Sequence, residues 1–153
     1  MIQRKQTIYL LLALIAIVVC LMQPIGIFHA EGMAPSREMY NLFVVSNEAP
    51  AAATLTVWPL FVILLLSCPL MLWAIFAFKN RKRQAMLCSL CEVLCMLWIA
   101  VYCVLGFAVG IDGYSFTMVW TCCLPAIALI FLSMAHRGIM ADERLVRAAD
   151  RIR

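Results

Sequence analysis

Four apolar runs, each long enough to cross a lipid bilayer, constrain this chain more than any other feature. A transmembrane helix needs about 20 predominantly apolar residues to cross roughly 30 Å of hydrocarbon. Ile8–Phe28, Val57–Phe78, Ala85–Val109 and Phe116–Ala135 all meet that length. No run alternates with the period of a barrel strand, so helices are expected rather than a β-barrel. Composition agrees: 66% of the 153 residues are hydrophobic and 13% charged, against about 45–50% and about 25% in soluble domains. Too little polar surface remains to cover a water-soluble fold. The expected class is all-α, a single integral membrane domain over 1–153 that folds as a four-helix bundle with the lipid bilayer as solvent.

Charge placement sets the expected orientation. Arg4 and Lys5 precede the first run, Lys79, Arg81, Lys82 and Arg83 separate the second from the third, and Arg137, Arg144, Arg147, Arg151 and Arg153 follow the fourth. Only Arg37 lies in the two other connections, giving 11 of 12 basic residues on one side. The positive-inside rule makes that side cytoplasmic, and an even number of spans brings both ends there, N-in and C-in. No basic patch interleaved with aromatics suggests nucleic acid. A signal peptide is the competing reading of the first run. However, the run exceeds the usual 7–15-residue apolar region, Ile17-Val18-Val19 is too bulky before Cys20, and Phe28-His29-Ala30 is a poor cleavage site.

The loop His29–Thr56 is the one sizeable outer segment. Its Gly32, Pro35 and Pro50 oppose a long helix, while Met39–Val45 has strand-like composition, so a small β-hairpin there is one expectation. Gly110–Ser115 reads as a tight turn making spans three and four antiparallel neighbours. Ala141–Arg153 reads as a short amphipathic cytoplasmic helix. Asp142 stands in its first turn, Glu143 and Arg147 at i,i+4, and Leu145, Ala149 and Ile152 form a narrow stripe. An interfacial anchor is its expected role.

Glu92 is the one acid inside a span, and an ionisable side chain at that depth marks a functional site by default. Against a proton or ion path stands the lack of any other acid, Lys, Arg or His within the four spans. A neutral Glu92 bonded to Ser89, Thr121 or a carbonyl is the plainer reading. All eight cysteines fall in apolar runs, and Cys88, Cys91, Cys95 and Glu92 share a helix face. Three sulfurs on one helix cannot all reach one ion, and buried thiols behave as small hydrophobes, so packing is expected rather than metal or cofactor binding. The outer loops lack Cys, unlike those of membrane thiol oxidoreductases, and His29 and His136 belong to opposite faces. Pro69 and Pro125 are expected to kink spans two and four. Gly106 and Gly110 form a small-residue motif suited to helix contact or self-association. Without a nucleophile–base pair or paired carboxylates, no enzyme is expected.

Two terminal motifs carry a resemblance. Met1-Ile2-Gln3-Arg4-x-Gln6-Thr7-x-Tyr9-Leu10-Leu11-Leu12 opens the chain and Asp142-Glu143-x-Leu145-Val146-Arg147-x-x-Asp150-Arg151-Ile152-Arg153 closes it. With the chain length and the basic loop at Lys79–Arg83, they resemble a family of short four-span membrane proteins from Bacteroidetes (Bacteroidota), catalogued as a domain of unknown function. The resemblance implies a bacterial inner-membrane location and no assigned activity. Because both motifs fall on the cytoplasmic side, Gln3, Arg4 and Gln6 are expected to pair with Asp142, Glu143, Asp150 or Arg151 in a cap. The expected function is a non-enzymatic scaffold or accessory subunit. A transporter or channel-like protein with Glu92 on its path is the alternative, and an intramembrane thiol or metal protein ranks third.

Overall fold

The computed structural model describes residues 3–30, 35–46, 53–54, 57–77, 80–108 and 114–150. Its helices are α1 (Gln3–Met22), α2 (Trp58–Phe76), α3 (Arg81–Ala108) and α4 (Leu124–Asp150), the last preceded by a 3-10 turn, Trp120–Cys123. All four are long and apolar enough to cross a membrane. They form a ring in which α1 packs on α2 and α4, and α3 packs on the same two. Five short strands gather at one end: β1 (Gly26–Ala30), β2 (Arg37–Met39), β3 (Val44–Ser46), β4 (Ala53–Thr54) and β5 (Tyr114–Met118). Their order is β4-β3-β2-β1-β5, antiparallel throughout.

Each helix turns a stripe with alternating spacings of four and three inward. Along α1 it is Gln6, Leu10, Ala13, Ile17 and Cys20; along α2, Leu60, Leu64, Ser67, Met71 and Ala74. Along α3 it is Gln84, Cys88, Cys91, Cys95, Trp98 and Tyr102; along α4, Ala128, Leu132, Ala135, Ile139 and Asp142. An average of 3.5 residues per repeat is the seam of a knobs-into-holes bundle. The inward residues are smaller and more polar than the outward ones, which include Ile8, Leu11, Ile15, Leu65, Leu66, Val93, Met96 and Ile130. Small interior residues let helices approach one another closely.

The structure changes several boundaries. The first apolar run holds two elements, because α1 stops at Met22 before Gln23-Pro24, where a pre-proline residue disfavours helix. The chain then continues into β1, with Ile25 and Phe28 buried. Phe116–Met118 likewise belongs to β5 rather than to the fourth span. Tyr114 and Ser115 of the expected tight turn are in the same strand, while 109–113 lie outside the described residues. The expected hairpin is one part of the five-stranded sheet. Met39–Val45 is not a single strand, since Tyr40–Phe43 forms the turn between β2 and β3, closed by Tyr40 N–H to Phe43 carbonyl at 2.9 Å. Within that turn the Tyr40 hydroxyl donates to Glu38 Oε2 at 3.1 Å, and this bond pushes the phenol's pKa up from its ordinary value.

The short C-terminal helix is not separate. Residues 141–150 continue α4 without interruption. Charged residues such as Arg137 mark where a helix meets a polar medium, but they do not end it, because its backbone bonds are internal. Pro125 does not kink a helix either. It stands in the first turn of α4, where its missing N–H costs nothing. Pro69 is inside α2.

Candidate functional site

Polar side chains concentrate at three levels of the bundle. At the sheet end, Asn41 is fully buried although it lies in the β2–β3 turn. Its Nδ2 donates to the Cys20 carbonyl at 2.7 Å, and its Oδ1 accepts from Trp98 Nε1 at 3.0 Å. Tyr102 donates to the Ile25 carbonyl at 2.8 Å and Thr121 to the Pro24 carbonyl. Rings of Trp98 and Tyr102 stack at 5.1 Å, and Phe116 bridges Tyr102 to Phe28. These contacts plug the sheet into the bundle and satisfy the carbonyls released where α1 ends.

The opposite end joins the two termini. Gln6 Nε2 of α1 donates to Asp142 Oδ2 of α4 at 2.8 Å, in a buried contact. Arg81 Nη1 of α3 donates to the Asp142 backbone carbonyl at 3.1 Å. Gln84 is buried nearby on the α3 seam. Gly138 gives this layer room: a Cβ there would lie 3.2 Å from Gln6 Cγ, so the Gln6 side chain would have to yield by a few tenths of an ångström.

Between these ends, Glu92 of α3 meets His136 of α4, with Oε1 3.4 Å from Nδ1. The two flank the seam positions Cys91 and Ala135, so they lie at the edge of the α3–α4 contact. Side chains lean toward their helix N-terminus. In antiparallel helices Glu92 and His136 therefore lean along the bundle in opposite directions and meet between their own levels. The side chains are 22% and 30% exposed, although Glu92 Oε1 itself is shut away and lacks a well-aligned hydrogen bond. The contact is a close polar approach rather than a directed hydrogen bond.

Glu92 thus has a basic partner that the sequence reading did not give it. The apolar run expected to form the fourth span stops at Ala135, one residue short of His136, whereas α4 continues to Asp150. The continuing apolar residues Ile139 and Met140 were the available sign that the helix ran on. Of the expected terminal cap, the structure brings together Gln6 and Asp142. Glu143 is half-buried on α4, while the side chains of Arg4 and Asp150, and all of Arg151, lie outside what is described. Gly106 packs against the ring of Phe116, and Gly110 lies outside the described residues. All eight cysteines are free thiols. Cys88, Cys91 and Cys95 line the α3 seam, where Cys91 Sγ is 4.0 Å from the Ser67 carbonyl. Among the described residues no three His, Cys, Asp or Glu side chains converge on a point that could hold a metal.

Comparison with curated proteins finds no match. The agreement is at the level of family and spans nearly the whole chain, residues 2–152, so that it takes in both the terminal layer and the Glu92–His136 pair. The chain belongs to the family described as a domain of unknown function, DUF4293.

Proposed function

We propose that this is a four-span protein of the bacterial inner membrane, with both ends in the cytoplasm, acting as a non-enzymatic accessory or scaffold subunit. The observation that carries the reading is the closed interior. Packed seams run from the Gln6–Asp142 layer to the Asn41–Trp98 plug, and their side chains, among them Leu10, Leu64, Met71, Trp98 and Leu132, are fully buried. Such an interior suits a structural element better than a conduit. The sheet end, carrying Arg37 alone of the basic residues, faces outward in this reading, and the terminal layer faces the cytoplasm.

Helix α4 supports the same reading. Its 27 residues are about 40 Å long, against roughly 30 Å of hydrocarbon. With Trp120 at the outer interface, the helix leaves the hydrocarbon near Met140. Its last turns then project into the cytoplasm with Leu145 and Val146 exposed. A partner protein covering these two side chains is the simplest use of them. The test is purification of the full chain from its native membrane in mild detergent. A stoichiometric partner is expected with wild type and should be lost on L145S/V146S, while the melting temperature stays unchanged. A monodisperse protein without partners would overturn the reading.

The Glu92–His136 pair favours a second reading, a proton or ion path along the α3–α4 edge. Proteoliposomes separate the two. An accessory subunit gives no flux driven by a pH gradient, whereas a transporter gives flux that Glu92→Gln abolishes.

A further inference from the structure

Beyond the Glu92–His136 contact, the exposed side of α4 carries a cleft of about 340 Å³ lined by His136, Arg137, Met140, Ala141 and Arg144. The spacings 137, 141, 144 and 136, 140, 144 place all five on one helical face. Arg137 and Arg144 are exposed, and among the described residues neither has a carboxylate within 4 Å. His136 forms the wall nearest the bundle, steadied from behind by Glu92. Met140 and Ala141 supply an apolar floor between the two guanidinium groups.

Two arginines seven residues apart, without a carboxylate partner among the described residues and with an apolar floor between them, complement a negative charge attached to a hydrocarbon body. Guanidinium groups bind phosphate oxygens in a bidentate fork. On the proposed orientation, which this inference rests on, the cleft straddles the point where α4 leaves the hydrocarbon, reaching from His136, about 6 Å inside it, to Arg144 at the depth of the cytoplasmic headgroups. Basic pockets at that level are suited to anionic lipids. We infer that this cleft seats the phosphodiester of an anionic phospholipid of the cytoplasmic leaflet, with Arg137 and Arg144 holding the phosphate and Met140 and Ala141 lying against the glycerol and upper acyl chain.

The probe is phosphatidylglycerol, offered against phosphatidylcholine to the full-length protein in detergent and followed by native mass spectrometry. Wild type should retain phosphatidylglycerol, and R137Q/R144Q should weaken retention roughly 30-fold, about fivefold per arginine. The control K82Q/R83Q alters exposed basic residues on α3 and should leave retention unchanged. Millimolar inorganic phosphate should not displace the lipid, because the apolar floor contributes to holding it; displacement would mark an anion site and overturn a lipid seat. Equal losses in the two double variants would reduce the effect to diffuse surface charge and also overturn it. Unchanged melting temperatures exclude misfolding. Since binding in detergent does not depend on sidedness, an epitope after Arg153 separates the two ideas. An epitope reached only from the outer side would refute the orientation whatever the lipid result.

Discussion

Asn41 shows how one residue can join the two parts of this molecule. Replacing it with Ala leaves Trp98 Nε1 and the Cys20 carbonyl buried without partners, and each such orphan costs about 1–3 kcal/mol. Asn41→Ala should therefore lose about 2 kcal/mol or more in thermal unfolding in detergent. Trp98→Phe on the Asn41→Ala background should cost less than on wild type, because the shared bond is already gone; additive losses would contradict the contact. At the other end, Gly138→Ala brings a Cβ within 3.2 Å of Gln6 Cγ but adds about 1 kcal/mol of helix propensity, so its net effect on thermal unfolding should stay within about 1 kcal/mol. On a Gln6→Ala background the crowding is gone, and there Gly138→Ala should stabilise by about 1 kcal/mol. The Tyr40–Glu38 bond adds a pH dependence with a definite sign. Its contribution is present below the ordinary tyrosine pKa near 10 and is lost as pH rises through the raised folded value. A spectrophotometric phenol titration of wild type against Tyr40→Phe should show one phenol titrating late.

At the scale of elements, the sequence exposed the number of helices and hid where two of them end. Apolar length is a fair measure of a span, yet buried strands are apolar too. Ile25 and Phe28 therefore looked like the end of the first helix, although Gln23-Pro24 and Gly26 were the legible signs of a change. For α4 the mismatch runs the other way, since His136 and Arg137 are polar yet lie well inside the helix. Continuity has a direct test. Ala141→Pro removes a backbone bond in mid-helix and should cost about 3 kcal/mol or more, whereas a joint at that point would absorb proline with little loss. The seams were partly legible as well. Because every face of these helices is apolar, hydrophobicity conceals the period. The small and polar residues Gln6, Ala13, Cys20, Ser67, Cys88, Cys91 and Cys95 carry it instead. That is why the cysteines sit where a ligand set would, and a permeant maleimide should label exposed Cys103 and Cys123 well before the buried thiols of α3.

For the molecule as a whole, the sheet and the terminal layer close the bundle at its two ends, and α4 links the candidate features along one helix. His136 meets Glu92, Arg137 and Arg144 bound the cleft, Asp142 joins α1, and Leu145 and Val146 stand exposed beyond. The Gln6–Asp142 pairing was within reach of the sequence because both residues belong to terminal motifs on the same charge-defined side. The Glu92–His136 pairing was not, because it depends on how far α4 continues. The central claim is that the chain crosses the membrane four times with both ends in the cytoplasm. It is tested most directly by epitopes placed before Met1, between Asn47 and Pro50, and after Arg153, each probed by protease in right-side-out and inverted vesicles. Both terminal epitopes should be cleaved only in inverted vesicles and the 47–50 epitope only in right-side-out ones. A terminal epitope cleaved from the outer side, or an N-terminal epitope removed with the first helix, would contradict it.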